Sequence, residues 1–166
     1  IELSATQIGR GLAAAALAGT ISRLITGNFL DRGTNNSIAL RLAFFLAICS
    51  DISLLIAQDF KVFLIGQVLL GSAAGLYWPS VELSVPTSCG AFPSSKGFAL
   101  VRSADALGTS IGVIFGSFAT LLGSIRTVYV IDLSCMIYLL LLLAQKPIRD
   151  KKAKVFNNIE NSQLKQ

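Results

Sequence analysis

The sequence contains no histidine among its 166 residues. It therefore lacks the side chain most often used as a metal ligand and as a general base near neutral pH. Its three cysteines, Cys49, Cys89 and Cys135, show no paired spacing typical of a zinc site, and an odd number provides no disulfide framework. No constellation of nucleophile and base appears either, so we expect neither an enzyme nor a bound metal or cofactor.

Charged residues are also scarce, at 14% of the chain, whereas hydrophobic residues make up 53% and the mean hydropathy is +0.67. This is more apolar surface than one soluble core of this size needs. A net charge of +5 is common in nucleic-acid-binding proteins, but here the basic residues cluster at the ends of apolar segments. The composition therefore predicts a lipid bilayer as the partner and argues against nucleic acid.

Apolar segments of membrane length follow one another along the chain. Five of them cover residues 6–30, 37–57, 62–80, 97–122 and 128–144. Each is near the roughly 20 residues that a spanning helix needs. Buried helices of a large soluble protein are a weak alternative, because few residues are left to solvate such a core. We predict an all-α membrane protein, with a bundle of about five transmembrane helices in residues 1–145 and a polar tail at 146–166.

The connections between these segments differ in charge. Residues 82–97 contain Pro86, Gly90 and Pro93 and are predicted to form a loop. Lysine and arginine are concentrated in the first and third connections and in the tail, so the positive-inside rule places these regions in the cytoplasm. The basic tail could bind anionic lipid, but the favoured role is that of an anchor that keeps the tail on the cytoplasmic side. Ile1 is not an initiator residue and no leader precedes the first segment, so we expect the natural N-terminus to be missing.

Small residues recur at every fourth position in three of the segments. Such rows let helix backbones approach closely in lipid, where packing drives association. We therefore expect the first, third and fourth segments to pack tightly against one another. The first row includes Gly11, Ala15, Gly19, Arg23, Gly27 and Asp31, the second Gln67, Gly71, Gly75 and Pro79, and the third Ala104, Gly108, Gly112, Gly116 and Thr120.

Several charges lie inside the predicted spans. Arg23 is eight positions before Asp31, which places it about 12 Å deeper along a helix. An intramembrane charge normally pairs or lines a water-filled path. The candidates for partners across the bundle are Glu82, Arg102 and Asp105, although a static pair between Arg102 and Asp105 within one helix is an equal alternative. Asp51 and Asp132 are interpreted as residues near the membrane interface rather than proton carriers.

The motif Gly27-x-x-x-Asp31-Arg32 between two membrane segments resembles the loop signature of the major facilitator superfamily, which joins the second and third helices of its N-terminal half. The stretch Gly71 to Pro79 is similar to the glycine-rich fourth helix of that family, and the row Gly108, Gly112 and Gly116 to the fifth. The resemblance covers nearly the whole chain. It implies that the five segments are the second to sixth helices of a six-helix half, and that the chain is a fragment.

The chain departs from the family pattern at several positions. Gly33 follows Arg32 directly, where the family places its glycine one residue later and then basic residues. Gln67 stands where members often have an arginine, and Val113 follows Gly112 where drug exporters carry proline. The last two departures argue against a proton-coupled drug exporter and leave the substrate class open.

The resemblance implies a secondary active transporter that moves a small solute by alternating access across the plasma membrane. It assigns Gly27, Asp31, Arg32 and Gly33 to a cytoplasmic latch, with Arg23 deeper on the same helix. The expected polar groups of the solute path are Gln67, Arg102 and Asp105. A non-transporting membrane bundle that only assembles with partners is the alternative interpretation.

Overall fold

The computed structural model describes residues 3–33, 35–90, 92–121 and 126–145. They form five α-helices, α1 (Ala5–Asp31), α2 (Asn36–Ile56), α3 (Phe60–Ser88), α4 (Ser94–Leu121) and α5 (Arg126–Gln145). No strand occurs in these ranges. Each helix is long and apolar enough to cross a membrane, so the predicted all-α bundle of five transmembrane helices is confirmed. The predicted tail at 146–166 lies outside the described residues.

Polar side chains cap the first three helices. Ser4 forms a capping box with Gln7 at the start of α1. The Asn35 side chain accepts a hydrogen bond of 2.8 Å from the Ser37 N–H, and the Asp59 carboxylate accepts one of 2.9 Å from the Val62 N–H. These caps satisfy N–H groups that a helix leaves without partners at its start, and they fix where α2 and α3 begin.

Helix α3 is longer than the sequence predicted. It continues to Ser88 through both Pro79 and Pro86, so the prediction of a loop from residue 82 is wrong, and Glu82 lies inside the helix. Each proline removes one backbone donor, but serine and threonine hydroxyls bond to carbonyls in the same turns. Ser80 donates to the Leu76 carbonyl at 2.8 Å, and Thr87 to the Ser84 carbonyl at 2.9 Å.

The helices pack in the order α1, α3, α2, α5, and α4 touches α3 and α5 only lightly. Helices α1 and α3 run parallel, because Gly11 lies near Phe63 at one end of their contact and Ser22 near Gly75 at the other. Helices α2 and α3 are antiparallel, since Ser50 donates to the Gly66 carbonyl at 2.9 Å whereas Asn36 donates to the Ser80 carbonyl at 2.8 Å. The α1–α2 turn and the α3–α4 connection therefore lie at one end of the bundle, which we call the Arg32 end.

Two glycines of α3 allow α1 to approach at backbone distance. A Cβ atom on Gly71 would lie 2.6 Å from the carbonyl carbon of Ala15, and one on Gly75 would lie 2.7 Å from the Cβ of Ser22 and 2.9 Å from the Arg23 nitrogen. These neighbours are backbone or near-backbone atoms, so they cannot move aside. The small residues of α1 and α3 thus meet in one interface.

The glycine row of α4 behaves differently. A Cβ atom on Gly108, Gly112 or Gly116 would meet nothing within 4 Å. None of the residues in the most apolar stretch of α4 is buried. The expected tight packing of this row against the first and third segments is therefore not found in the described chain, because the row faces away from the helices present.

Candidate functional site

An ion pair joins α4 to α3 in the half of the bundle nearer the Arg32 end. The Nη2 atom of Arg102 lies 2.9 Å from the Oε1 atom of Glu82. The Arg102 guanidinium carbon also lies 4.6 Å from the centroid of the Trp78 ring, which is cation–π distance. We call Trp78, Glu82 and Arg102 the Arg102 cluster. Arg102 therefore pairs between helices, and no ion pair with Asp105 occurs in the part of the chain that the structure describes.

The two charged side chains of the Arg102 cluster lie well inside their helices and are nevertheless exposed. Glu82 is six residues before the end of α3 and Arg102 eight residues after the start of α4, so they lie about 9 and 12 Å inside their helices. Nevertheless 57% of the Arg102 side chain and 49% of the Glu82 side chain are exposed. Charges on a membrane-spanning helix face water or other protein rather than lipid. The α3–α4 face therefore has the character of a polar path.

Aromatic rings hold the α3 side of the cluster in place. The Tyr77 and Trp78 rings stand edge to face with centroids 5.4 Å apart, and Tyr77 also contacts Phe44 of α2 at 6.1 Å. Asp105 lies three residues after Arg102 on α4 and is exposed. The sequence interpretation missed Tyr77 and Trp78 as site residues. The signal was present, because Trp78 and Glu82 are four residues apart on one helix face.

The contacts of the Arg102 cluster are individually weak. An exposed ion pair contributes about 1 kcal/mol or less, and an exposed cation–π contact about 0.5–1 kcal/mol. Helix α4 has few other contacts with the bundle. The cluster can therefore form and break at the energies of an ordinary conformational change.

Gln67 does not belong to this cluster. It lies on α3 at 8% exposure, and its Cγ atom would be 3.3 Å from a Cβ on Gly11 of α1. Fifteen residues separate it from Glu82, or about 22 Å along the helix. The structure therefore does not bring Gln67 together with Arg102 and Asp105, because its place is in the α1–α3 contact.

Arg23 also lies apart from the Arg102 cluster. It lines a shallow groove of about 310 Å³ between α1 and α3, together with Gly19, Thr20 and Gly75. Its side chain is exposed, and no ion pair of Arg23 occurs within the described ranges. The expected partners Glu82, Arg102 and Asp105 thus do not meet Arg23.

The α1–α2 turn is shaped by its glycine. Gly33 has a φ of 86°, the left-handed conformation that commonly ends a helix, and its N–H donates to the Leu30 carbonyl at 3.1 Å. The Arg32 N–H donates to the Asn28 carbonyl at 3.3 Å. Gly27 lies one turn earlier with open space where a Cβ would be. This geometry explains why glycine directly follows Arg32 in this chain.

Asp31 occupies an electrostatically unfavourable position. It is the last residue of α1, where the helix dipole is negative and disfavours a carboxylate. Both Asp31 and Arg32 are exposed, and neither forms an ion pair in residues 3–33, 35–90, 92–121 and 126–145. A carboxylate with no stabilising contact at a helix end points to a role outside the folding of this turn.

Comparison with known proteins places the chain in a family. The family profile described as Major Facilitator Superfamily matches residues 1–164. Comparisons with curated proteins and with solved structures give no match. Five apolar helices, the exposed charges between α3 and α4 and the Gly27-to-Gly33 turn agree with the family match. The chain belongs to the Major Facilitator Superfamily, and is an integral multi-pass membrane protein of the transporter type.

Proposed function

We propose that this chain forms part of a secondary active transporter that moves a small solute across the plasma membrane by alternating access. The observation that supports the proposal most is the Arg102 cluster, with charges about half exposed and 9–12 Å inside their helices. A bundle that serves only as a membrane anchor has no need of such charges, which are costly unless they face water or a partner.

The proposed orientation places the Arg32 end in the cytoplasm. Arg32 and Arg41 flank the α1–α2 turn, and Lys96 and Arg102 follow the α3–α4 connection. The opposite end has Arg10, Lys61 and Arg126, with Asp59 nearby. This excess of basic residues favours a cytoplasmic Arg32 end and a cytoplasmic C-terminal tail.

We further propose that the glycine row of α4 is covered by other helices of the same transporter. Gly108, Gly112 and Gly116 offer a flat face with room for a closely approaching backbone. The large apolar side chains beside the row, including Ile111 and Phe115, are more than half exposed. The family's fold of two six-helix halves supplies helices for such a face.

Alternating access can be tested at the middle of α4. Thr109 lies seven residues after Arg102, on the same face of the helix and near its midpoint. In the full-length protein with its native cysteines replaced by serine, Thr109→Cys should react with a membrane-impermeant maleimide from either side of oriented vesicles. The reason is that a site on the solute path opens to each side in turn.

The matched control is Leu141→Cys on α5, where 57% of an apolar side chain is exposed on the outside of the bundle. A cysteine facing lipid should react from neither side. If Thr109→Cys likewise reacts from neither side, or from one side only, alternating access is excluded and the non-transporting bundle is the better interpretation.

The proposed role of Asp31 is in the latch at the inner gate. Asp31→Asn keeps the size of the side chain and removes the charge that the helix dipole disfavours. We expect the α1–α2 turn to be equally or more stable in this variant. The accessibility of Thr109→Cys should, however, change from one side of the membrane to the other about tenfold more slowly, equivalent to about 1.4 kcal/mol. An unchanged rate would reduce Asp31 to a helix-end residue without a gating role.

A further inference from the structure

Asp51 is a buried carboxylate that the Arg102 cluster does not use. It lies on α2, five residues before the end at Ile56, and therefore about 7.5 Å inside the helix. Its position near the membrane interface stays a prediction, and only 2% of it is exposed. Its Oδ2 atom is buried with no hydrogen-bond partner among the described residues. An ionised carboxylate in this position would be strongly disfavoured.

The groups around Asp51 do not compensate a negative charge. From α5, Asp132 acts on Asp51 with a charge of the same sign, and Tyr129 is also within electrostatic reach. Asp132 is six residues from the start of α5, so the two carboxyl groups lie at the same level of the bundle. On the α3 side, the Gly66 carbonyl accepts a hydrogen bond of 2.9 Å from Ser50, the residue before Asp51. The basic residues at this end, Arg10, Lys61 and Arg126, are exposed.

A bound metal ion does not fit this arrangement. A hard cation requires several oxygen ligands, but the described residues contain no group of three acidic, histidine or cysteine side chains that could hold one. The hydroxyl of Ser50 is already used as a donor. A bound proton is sufficient to stabilise this arrangement. It removes one negative charge, and it supplies a hydrogen-bond donor to the unpartnered Oδ2 atom of Asp51. Two neighbouring carboxyl groups commonly titrate as a pair for this reason.

We propose that Asp51 and Asp132 form a proton-binding pair at the contact of α2 and α5, and that the folded protein holds one proton there. Loss of this proton leaves two negative charges between the helices, which weakens the α2–α5 contact. The site lies near the end of the bundle opposite the Arg102 cluster, and it does not depend on the proposed transport function.

The first test is the pH dependence of stability in the full-length protein in detergent. Because the folded state binds a proton that the unfolded state releases more easily, stability should fall as pH rises. We expect the melting temperature to fall by about 4 °C or more between pH 6 and pH 9. The Asp51→Asn variant keeps the side-chain size without the charge, and should have a flat profile and a higher melting temperature than the native protein at pH 9.

Asp59→Asn is the matched control. Asp59 is an exposed N-cap outside the α3 helix, and asparagine can still accept the hydrogen bond from the Val62 N–H. This variant loses the same charge at the same end of the bundle. It should keep the pH profile of the native protein.

Infrared difference spectroscopy provides a second measurement, which detects the bound proton directly. The native protein should show the carbonyl band of a protonated carboxylic acid at pH 6, and this band should disappear by pH 9 and be absent from Asp51→Asn. A native protein with no titrating acid band overturns the proposal. A melting temperature at pH 9 that sodium restores and N-methylglucamine does not would also overturn it, in favour of a monovalent cation site.

Discussion

Replacing Gly71 by alanine is expected to lower the melting temperature of the protein by about 4–8 °C. One added methyl group would lie 2.6 Å from the carbonyl carbon of Ala15 and 2.8 Å from its Cα. Backbone atoms cannot rotate away, so α1 and α3 must separate along the main interface of the bundle. Overpacking of this kind costs about 2 kcal/mol or more, which corresponds to this range for a chain of 166 residues.

Gly9→Ala on α1 is the control for this prediction. A Cβ atom on Gly9 would meet nothing within 4 Å, so the methyl group adds no clash. Alanine is the better helix former by about 0.5–1 kcal/mol, and the variant should be as stable as the native protein or slightly more stable. Thermal unfolding in detergent, followed by loss of the monodisperse peak on size exclusion, compares the two. Equal melting temperatures for both variants would show that α1 and α3 do not pack as closely as the structure has them.

The number and type of the helices could be predicted from length and composition. Residues 37–57 and 128–144 are apolar runs that a bilayer accommodates only as helices, because backbone groups must be satisfied within the segment. The end of α3 could not be predicted in the same way. Glu82, Pro86 and the nearby serines are loop signals in water, whereas in α3 the hydroxyls of Ser80 and Thr87 bond to the carbonyls around the prolines.

The direction in which side chains face was harder to predict than the helices themselves. Helices that are apolar all round carry no amphipathic signal, so spacing identifies a row of small residues but not its partner. Gly71 and Gly108 illustrate this limit, because equal spacing leads to backbone contact in one row and open space in the other. The burial of Asp51 was missed for the same reason. Its sequence position fixed its depth but not the side of α2 on which it lies.

The Arg102 cluster raises the question of what holds α4 against the bundle. Apart from this cluster, α4 meets α3 mainly where Gly97 packs closely against Val85 and the Sγ atom of Cys89. Cys89 is half-buried, and its exposure therefore depends on how closely α4 approaches. With Cys49 and Cys135 replaced by serine, the maleimide reaction rate of Cys89 reports separation of α4 from α3.

Arg102→Gln is expected to increase the reaction rate of Cys89 by about five- to thirtyfold. The change removes both the ion pair and the cation–π contact with Trp78, which together contribute about 1–2 kcal/mol, and each 1.4 kcal/mol is tenfold in the opening equilibrium. Glu82→Gln removes the ion pair but leaves the guanidinium over the Trp78 ring, so its effect should be smaller, at about fivefold or less.

Arg126→Gln is the control, because it neutralises an exposed arginine at the start of α5 that forms no ion pair in the described ranges. If Cys89 reacts at the same rate in Arg102→Gln and Arg126→Gln, the packing of Gly97 against Val85 and Cys89 holds α4 by itself. The charges on the α3–α4 face then have no structural role and are free to contact solute.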